Sequence, residues 1–282
     1  MTTTRHTPSS LIHHSGRGAL TLGILLAAAS CVDDPREDDD DDSADIETSE
    51  AAAAATVSTT PFANGFEAGL APWKCSGNCP SVVSSPVFAG TKAGNFLLTR
   101  TMPTTYRTEA VNGYRFEFDR EYTMQLTYRY EDWAPDTDTE AAPFQIHNTP
   151  WDWSKNCGSS SAYSTAPFLM ASSNNKVRFV TFGGRTLGAE APIQLKKWTT
   201  IKVNFKISKS KAGFIEAWRD GVKIGRVDGQ NVPALDKCGT PMREPYFKMG
   251  IYKWNWRDDG RPNRSQTTRR QVLIDSVSMA PN

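Results

Sequence analysis

The sequence is poor in the residues that most often bind metals or serve as general bases. Among its 282 residues are four histidines and five cysteines. The histidines at positions 6, 13 and 14 precede residue 31, so His147 is the one imidazole of the remaining chain. A histidine-rich metal centre needs several such ligands together, and a serine or cysteine protease needs a histidine beside its nucleophile. The sequence therefore gives no support to a metal enzyme or a protease.

No apolar run is long enough to cross a bilayer comfortably. The apolar stretch 19–29 follows Arg5 and Arg17 and ends in small residues, which is the build of a secretory signal. The letters LAAASC resemble a bacterial lipoprotein processing site, with Cys31 as the residue that carries the lipid. We therefore expect residues 1–31 to be a signal peptide and the protein to be an outer-membrane lipoprotein that meets the membrane only through its lipid. Free secretion after conventional cleavage is the alternative.

The small net charge of the whole chain conceals a basic domain. Residues 32–60 are an acidic block followed by an Ala/Ser/Thr run, which cannot bury a core and is typical of a disordered tether. Residues 1–60 hold 3 basic and 11 acidic residues against 32 and 31 in the whole chain, so residues 61–282 carry an excess of nine positive charges. A basic exported domain favours an anionic partner, and we expect acidic polysaccharide rather than nucleic acid.

Long helical periodicity and internal repeats are both absent from residues 61–282. Apolar residues alternate instead, as in YTMQLTYRY (122–130) and WTTIKVNFKIS (198–208). Asp220-Gly221 between two short apolar runs predicts a tight hairpin. Antiparallel hairpins at short intervals predict an all-β fold, a two-sheet antiparallel sandwich of the concanavalin-like jelly-roll type.

Four cysteines follow Cys31, and an even number in an exported chain predicts two disulfides. The C-x3-C spacing of Cys75 and Cys79 favours a local pair, which leaves Cys157 with Cys238. Zinc binding is the weaker alternative, because the exported part has one histidine and no second closely spaced cysteine pair.

Two short motifs place polar side chains together on predicted strands. In RTE, Arg107 and Glu109 share a strand face, where an ion pair is the simplest interpretation. In QIH, Gln145 and His147 share a face, and a surface histidine is the simplest interpretation of that motif alone. A functional interpretation makes His147 a general base, because its ordinary pKa lies nearest neutrality.

The third motif is PYFKMGIYKWNW, residues 245–256, which alternates an apolar face with a mixed one. The apolar face, predicted to be core, holds Phe247, Met249 and Ile251, and the mixed face holds Tyr246, Lys248, Gly250, Tyr252 and Trp254. A glycine inside a strand indicates close approach by a ligand or another backbone, and we expect Gly250 to give clearance for substrate. A cross-strand aromatic ladder is the interpretation without function.

In the order R-T-E, Q-I-H and Y-F-K-x-G-x-Y, these motifs resemble the signature of jelly-roll alginate lyases. Residues 196–224, KKWTTIKVNFKISKSKAGFIEAWRDGVKI, are similar to the heparin-lyase and glucuronan-lyase branch of jelly-roll polysaccharide lyases. The resemblance covers most of residues 61–282. Ala110, Val111 and Asn112 follow RTE where alginate lyases have an apolar residue and another arginine, and Trp254 stands where they place glutamine. Glucuronan or a glycosaminoglycan is therefore preferred over alginate.

The resemblance implies β-elimination from a uronate, with loss of the C5 proton, cleavage at C4 and a 4,5-unsaturated uronate end. Donors must neutralise the carboxylate while negative charge develops, and the resemblance assigns this to Arg107 and Gln145. It assigns the acid and base work to His147 and Tyr252, and the C5 stereochemistry decides whether Tyr252 acts alone. A tyrosine with a pKa near ~10 acts as a base only beside positive charge.

The remaining expectations concern substrate binding and cofactors. Lys248 is expected to grip the carboxylate of a neighbouring sugar, and the other candidate binding residues are Tyr246, Trp254, Glu109 and Asn148. No cofactor is implied, a structural calcium ion is left open, and a monomer is expected.

Two other functions are weighed against the lyase. Glu117, Asp119 and Glu121 in RFEFDREY would share a strand face, as do the carboxylates of retaining glycosidases, but Arg120 interrupts the usual apolar spacing. A glycoside hydrolase using Glu117 and Glu121 is therefore one alternative. A non-catalytic carbohydrate-binding jelly-roll module, which would need neither His147 nor Tyr252, is the other.

Overall fold

A computed structural model of the chain describes residues 60–149, 166–256 and 265–282. The predicted signal peptide, the lipidation site Cys31, the tether up to residue 59 and Cys157 lie outside the described residues. No helix in the described part of the chain is long and apolar enough to span a membrane.

Fifteen strands account for most of the described residues. They are β1 (Phe62–Asn64), β2 (Lys74–Gly77), β3 (Ser81–Val83), β4 (Ala93–Thr99), β5 (Arg107–Arg115), β6 (Glu121–Asp132), β7 (Glu140–Thr149), β8 (Phe168–Ser173), β9 (Lys176–Thr181), β10 (Arg185–Pro192), β11 (Thr199–Lys206), β12 (Phe214–Arg219), β13 (Val222–Asp228), β14 (Arg243–Tyr252) and β15 (Arg269–Pro281). Two short 3-10 helices, Phe182–Gly184 and Trp254–Trp256, complete the regular structure of these residues.

The strands form two antiparallel sheets. One has the order β13-β12-β11-β6-β15-β4-β3, with β1 paired to the end of β15, and the other has the order β10-β9-β8-β7-β14-β5-β2. Hairpin neighbours such as β12 with β13 occur beside neighbours from distant parts of the sequence, such as β6 with β15 and β5 with β14, as in a jelly roll. The predicted all-β jelly-roll sandwich is confirmed.

The core lies where alternation in the sequence predicts it. Tyr122, Met124 and Leu126 of β6 are completely buried, and so are Phe247 and the other apolar residues of β14. The hairpin between β12 and β13 also forms as predicted. Asp220 and Gly221 have φ angles of 49° and 81°, the two positive values that a tight type I′ turn requires.

The acidic row proposed for a glycosidase does not form. Glu117 and Asp119 lie in the turn between β5 and β6, where Asp119 has a φ of 62°. Glu117 pairs with Arg120 at 3.3 Å, and Glu121, the first residue of β6, pairs with Lys206 at 3.0 Å. The strand assumed across residues 117–121 was wrong, because the chain reverses there.

The local disulfide is present. Cys75 and Cys79 are bonded, with their Cα atoms 4.9 Å apart, which confirms the predicted pair. Cys238 is also disulfide-bonded. Its predicted partner, Cys157, lies outside the described residues, so that pairing stays a prediction.

Candidate active site

Three neighbouring strands bring the three sequence motifs together. Strand β14 lies in the seven-stranded sheet between β7, which carries QIH, and β5, which carries RTE. The register aligns their polar residues along β14. Tyr252 is opposite Arg107, Gly250 opposite Glu109, Lys248 opposite Gln145, and Tyr246 opposite His147. Because alternate residues share a face of a sheet, these residues form one row, which we call the polar row.

At the Tyr252 end of the polar row, Glu109 joins the two predicted carboxylate-binding residues. Gln145 Nε2 donates a hydrogen bond of 2.8 Å to Glu109 Oε1. Arg107 Nε lies 3.3 Å from Glu109 Oε2, an ion pair without the alignment of a hydrogen bond. Glu109 is 2 % exposed, Arg107 1 % and Gln145 5 %, so the three form one buried group in which Glu109 joins Arg107 to Gln145.

The positively charged guanidinium of Arg107 lies against the ring of Tyr252. The guanidinium carbon lies 4.4 Å from the centre of the Tyr252 ring, a cation–π contact. The ring centre of Tyr106 lies 6.3 Å from that of Tyr252. A cation held against a phenol favours negative charge on its oxygen. Arg107 is therefore the nearby positive charge that a catalytic tyrosine requires.

Strand β14 ends at Tyr252, so the rule that alternate residues share a face of the sheet no longer applies beyond it. Trp254 was expected to continue the strand face but lies in the 3-10 helix Trp254–Trp256. Its ring centre is still 5.6 Å from that of Tyr252, in an edge-on contact. Trp254 thus neighbours Tyr252 through a turn of helix, a placement that strand alternation alone does not give.

The other end of the polar row is built around Tyr246. The His147 and Tyr246 ring centres are 5.5 Å apart. His147 Nδ1 lies 2.6 Å from the carbonyl oxygen of Asn148. A carbonyl only accepts hydrogen bonds, so Nδ1 is the donor, and in the neutral form of the ring the lone pair would lie on Nε2. His147 thus has the tautomer that a base acting through Nε2 needs.

Arg115 is the residue of this region that the sequence analysis missed. Its guanidinium carbon lies 4.6 Å from the Tyr246 ring centre, and Nη1 donates a 2.8 Å hydrogen bond to Thr149 Oγ1. Lys248 Nζ lies 5.4 Å from the same ring centre. Arg115 could have been predicted from the sequence, because it ends the strand that Arg107 begins and lies an even number of residues from it, on the same face. This end of the row therefore presents two cations around one aromatic ring.

Asn148, a weaker candidate, lies elsewhere. It follows His147 and therefore points to the opposite face of β7, where it is completely buried beside the position of Ile146. It does not belong to the polar row. Among the described residues, no group of three or more His, Cys, Asp or Glu side chains is arranged to hold a metal ion.

Gly250 serves the packing of the sheet. Its φ is 125°, and a Cβ there would lie 2.3 Å from the Thr108 carbonyl oxygen and 2.8 Å from Phe96 Cδ1. These atoms belong to the neighbouring strand and to the core. The expectation that Gly250 makes room for substrate was therefore wrong. The close approach indicated by the glycine is that of β5 and Phe96.

We expect Gly250→Ala to lower the free energy of unfolding by ~2–5 kcal/mol, from backbone strain and steric overlap. Gly113→Ala in β5 is the matched control, since no atom lies within 4 Å of its added Cβ and its φ is ordinary. Urea unfolding of both variants measures the difference. Equal stability of the two would contradict this account of Gly250.

A buried cluster of charges lies directly behind Tyr252. It consists of Asp136, Glu140, Lys253 and Arg270, each 0–1 % exposed in its side chain. Lys253 Nζ lies 2.5 Å from Glu140 Oε2 and 3.2 Å from Asp136 Oδ2. Arg270 pairs with the same two acids, at 2.9 Å and 3.2 Å. The cluster ties the residue that follows Tyr252 to the beginnings of β7 and β15.

The two acids of the buried cluster have pKa values shifted in opposite directions. Burial raises the pKa of Asp136, but hydrogen bonds from Ser265 and Thr267 and the charge of Lys253 outweigh it and lower the pKa to about 2. Burial also raises the pKa of Glu140 and there prevails over Lys253 and Arg270. Asp136 is therefore the firmer anion of the cluster.

Cations and aromatic rings along one sheet of a jelly roll suit the binding of an acidic polysaccharide, but the fold alone does not define a function. The chain belongs to the family described as polysaccharide lyase, whose model matches residues 58–278. It is therefore an enzyme, a polysaccharide lyase, as its motifs predict. The family match favours this over the non-catalytic binding module.

Two of the similar solved structures have a TM-score above 0.5 and share the fold. An endo-β-1,4-glucuronan lyase from the fungus Trichoderma reesei is 21 % identical to this chain, with a TM-score of 0.61. The match covers 78 % of this chain and 95 % of that lyase. The cellulose-induced protein Cip1 is 10 % identical with a TM-score of 0.52, over 78 % and 96 %. Alginate lyase A1-II′, of polysaccharide lyase family 7, is 16 % identical with a TM-score of 0.44, over 67 % and 80 %. A search of curated proteins finds no match.

Proposed function

We propose that this enzyme cleaves a uronic acid polymer by β-elimination, with glucuronan as the first substrate to test. The observation that carries the proposal is the contact of Arg107 with Tyr252, joined through Glu109 to Gln145. In the proposal, Tyr252 is the acid–base group, and Arg107 and Gln145 are the cation and the amide that bind the carboxylate beside it. Glucuronan comes first because the Trichoderma reesei relative acts on it and the departures from the alginate lyase motifs disfavour alginate.

Charge supports an anionic substrate. Residues 61–282 have nine more basic than acidic residues, and the polar row holds Arg107 at one end with Arg115 and Lys248 at the other. A polymer with one carboxylate per sugar presents negative charge to both ends. Electrostatic attraction of this kind raises the rate of encounter and fixes the register of the chain.

In the proposed reaction, Tyr252 removes the C5 proton and returns a proton to the leaving oxygen. The C5–H and C4–O4 bonds break, C4=C5 forms, and the new end is an unsaturated uronate. In a 1,4-linked glucuronate the C5 proton and O4 lie on the same side of the ring, so one phenol reaches both. Arg107 stabilises the phenolate form of Tyr252, and Gln145 with Arg107 binds the carboxylate as negative charge develops.

His147 has a separate place in the proposal. It is in register with Tyr246, six residues before Tyr252, which is about 20 Å of extended strand. His147 is therefore distant along the strand from Tyr252. A glucuronate that reacts at Tyr252 does not need His147 as its base. A uronate epimeric at C5 presents its proton on the opposite side, where a second base is required.

The test of the function is a panel of uronate polymers: glucuronan, heparan-type glycosaminoglycans, polymannuronate and polyguluronate. An absorbance rise near the ultraviolet band of a C=C bond conjugated to a carboxylate reports elimination. We expect the fastest rise with glucuronan. No rise on any member of the panel would sink the proposed substrate class, and a rise only with polyguluronate would sink the same-side mechanism.

A His147→Ala variant separates the two acid–base schemes. We expect it to keep kcat on glucuronan within about tenfold, because Tyr252 does the proton transfers, and to lose any activity on C5-epimeric polymers by ~10²-fold or more. Initial rates on both polymer types measure the split. Tyr246→Phe, which keeps the ring beside His147, is the control. An equal loss on both polymer types would assign the base role to His147.

Export and lipidation at Cys31 belong to the same proposal. A tether of acidic and small residues between Cys31 and the domain would hold the enzyme away from the membrane, within reach of long polymers. Cys31→Ser is expected to release the enzyme from the membrane fraction of expressing cells, as judged by immunoblot. A variant that stays in that fraction would contradict lipid anchoring at Cys31.

A further inference from the structure

We propose that the loop closed by the Cys75–Cys79 disulfide holds Arg107 in its working position, which makes Ser76 and Asn78 positioning residues for the lyase reaction. The inference rests on the proposed function, because it concerns Arg107 as the cation beside Tyr252.

The disulfide spans the outermost strand of the seven-stranded sheet. Strand β2 is four residues long and, among the described residues, pairs with β5 alone, with Ser76 opposite Glu109 and Gly77 opposite Thr108. A short edge strand has ladder hydrogen bonds on one side and separates easily from its neighbour. The disulfide between residue 75 in the strand and residue 79 beyond it makes no bond to β5, but it limits the conformations open to the separated segment and so favours the paired state.

Each of the three residues inside the disulfide loop contacts a different part of Arg107. Asn78 donates two hydrogen bonds to the Arg107 carbonyl oxygen, from its backbone N at 3.1 Å and from Nδ2 at 3.0 Å. Gly77 packs on the stem of Arg107, so closely that a Cβ on Gly77 would lie 3.0 Å from Arg107 Cβ. Ser76 Oγ accepts a 3.3 Å hydrogen bond from Arg107 Nη1. The loop thus grips Arg107 from backbone to guanidinium.

Asn78 also fixes the chain entering β5. Its Nδ2 donates to the Thr104 carbonyl oxygen, its Oδ1 accepts from the Thr104 N at 3.3 Å, and its carbonyl oxygen accepts from Thr108 Oγ1 at 3.2 Å. Asn78 therefore bonds to residues on both sides of Arg107, to Thr104 through its side chain and to Thr108 through its main-chain carbonyl oxygen. The loop lies outside the hydrophobic core, which among the described residues includes Trp73 but none of residues 75–79.

We therefore expect loss of the Cys75–Cys79 disulfide to lower kcat more than it lowers the stability of the fold. Without it, β2 separates from β5 more often, and Arg107 loses its contacts with Ser76 and Asn78. The guanidinium then shifts relative to the Tyr252 ring, now 4.4 Å away. Misplacement of a catalytic group by about 1 Å costs up to ~10²-fold in rate.

The experiment compares a Cys75→Ser/Cys79→Ser variant with the unaltered enzyme on the best uronate polymer. This change leaves the disulfide of Cys238 in place, which a reducing agent would not. We expect kcat to fall ~10–100-fold, with a smaller change in KM and a cooperative melting transition retained. Full kcat, or a loss of activity matched by an equal loss of folded protein, would overturn the inference.

Two variants with an intact disulfide test the contacts themselves. Ser76→Ala removes the acceptor for Arg107 Nη1, and Asn78→Asp keeps the shape of Asn78 but replaces its amide donor with a carboxylate oxygen. Both are expected to lower kcat at least ~5-fold, consistent with a lost positioning contact, with little change in melting temperature. Ser81→Ala, in an edge strand of the other sheet, is the control. Unchanged kcat in both variants would contradict the positioning role.

An Arg107→Lys variant separates this inference from the proposed function. If Arg107→Lys retains full kcat, the role of Arg107 in the proposed function fails, whatever the loop variants do. If Arg107→Lys is nearly inactive while the disulfide variant is fully active, the inference alone fails. If the proposed function and the inference are both correct, adding Ser76→Ala to Arg107→Lys lowers kcat no further, because Ser76 acts through Arg107.

Discussion

Tyr252→Phe is expected to lower kcat for uronate elimination by ~10³-fold or more, the largest catalytic effect that we predict. The change removes one oxygen atom and keeps the ring, so the contacts of Tyr252 with Arg107 and Trp254 remain. Acid–base groups contribute ~10²–10⁴-fold each, and this phenol performs both proton transfers. KM and melting temperature are expected to change little. The measurement is the ultraviolet absorbance of the unsaturated product under saturating polymer.

Tyr106→Phe supplies the control for this experiment. Its ring centre lies 6.3 Å from that of Tyr252, and the same oxygen is removed from a neighbouring ring. We expect most of the activity to remain in this variant. If Tyr106→Phe is as damaging as Tyr252→Phe, the phenol of Tyr252 is not distinguished from its surroundings. If Tyr252→Phe keeps more than a tenth of kcat, the acid–base group is another residue.

The parts of the site that were predictable are those with local, repeating causes. Alternation in β14 predicts a buried Phe247 and its polar neighbours Lys248 and Tyr252, because a strand has one period and two faces. The motif order predicts that β5, β7 and β14 share a function. Their adjacency in one sheet was not readable from spacing, since β14 pairs with strands more than ninety residues earlier.

The parts that were not predictable depend on contacts distant in sequence or on where a strand ends. A glycine inside a strand indicates a close approach, but only the structure shows that Thr108 and Phe96 make it at Gly250. The end of β14 at Tyr252 turns Trp254 into a helical residue. The positioning role inferred for the loop 75–79 likewise depends on its contacts with Arg107, which lies about thirty residues further along the chain.

In the sequence, Lys253 has the spacing of Phe247, Met249 and Ile251, which makes it a lysine on a face that is otherwise core. The structure explains it through the buried cluster, in which Lys253 and Arg270 balance Asp136 and Glu140. A balanced buried cluster adds little net stability over an apolar core of the same shape, but loss of one member leaves an uncompensated charge. Such a cluster therefore fixes geometry, here the residue next to Tyr252.

Lys253→Met is accordingly expected to lower the free energy of unfolding by ~3–5 kcal/mol. The methionine fills most of the space but leaves two buried carboxylates facing Arg270 alone. Urea unfolding at neutral pH measures the loss. Lys202→Met is the control, because Lys202 is exposed on β11 and a surface change of this kind stays within ~0.5 kcal/mol.

The double variant Lys253→Met/Glu140→Gln distinguishes lost charge balance from lost packing. It removes one charge of each sign and leaves the pair of Arg270 with Asp136, whose atoms Nη2 and Oδ2 are 3.2 Å apart. We expect the double variant to be more stable than Lys253→Met alone by at least ~1 kcal/mol, because contacting charges do not act additively. A double variant less stable than Lys253→Met would mean that Lys253 works through packing alone. In that case Tyr252 would owe its position to the 3-10 helix that follows it, and the charges behind it would be incidental.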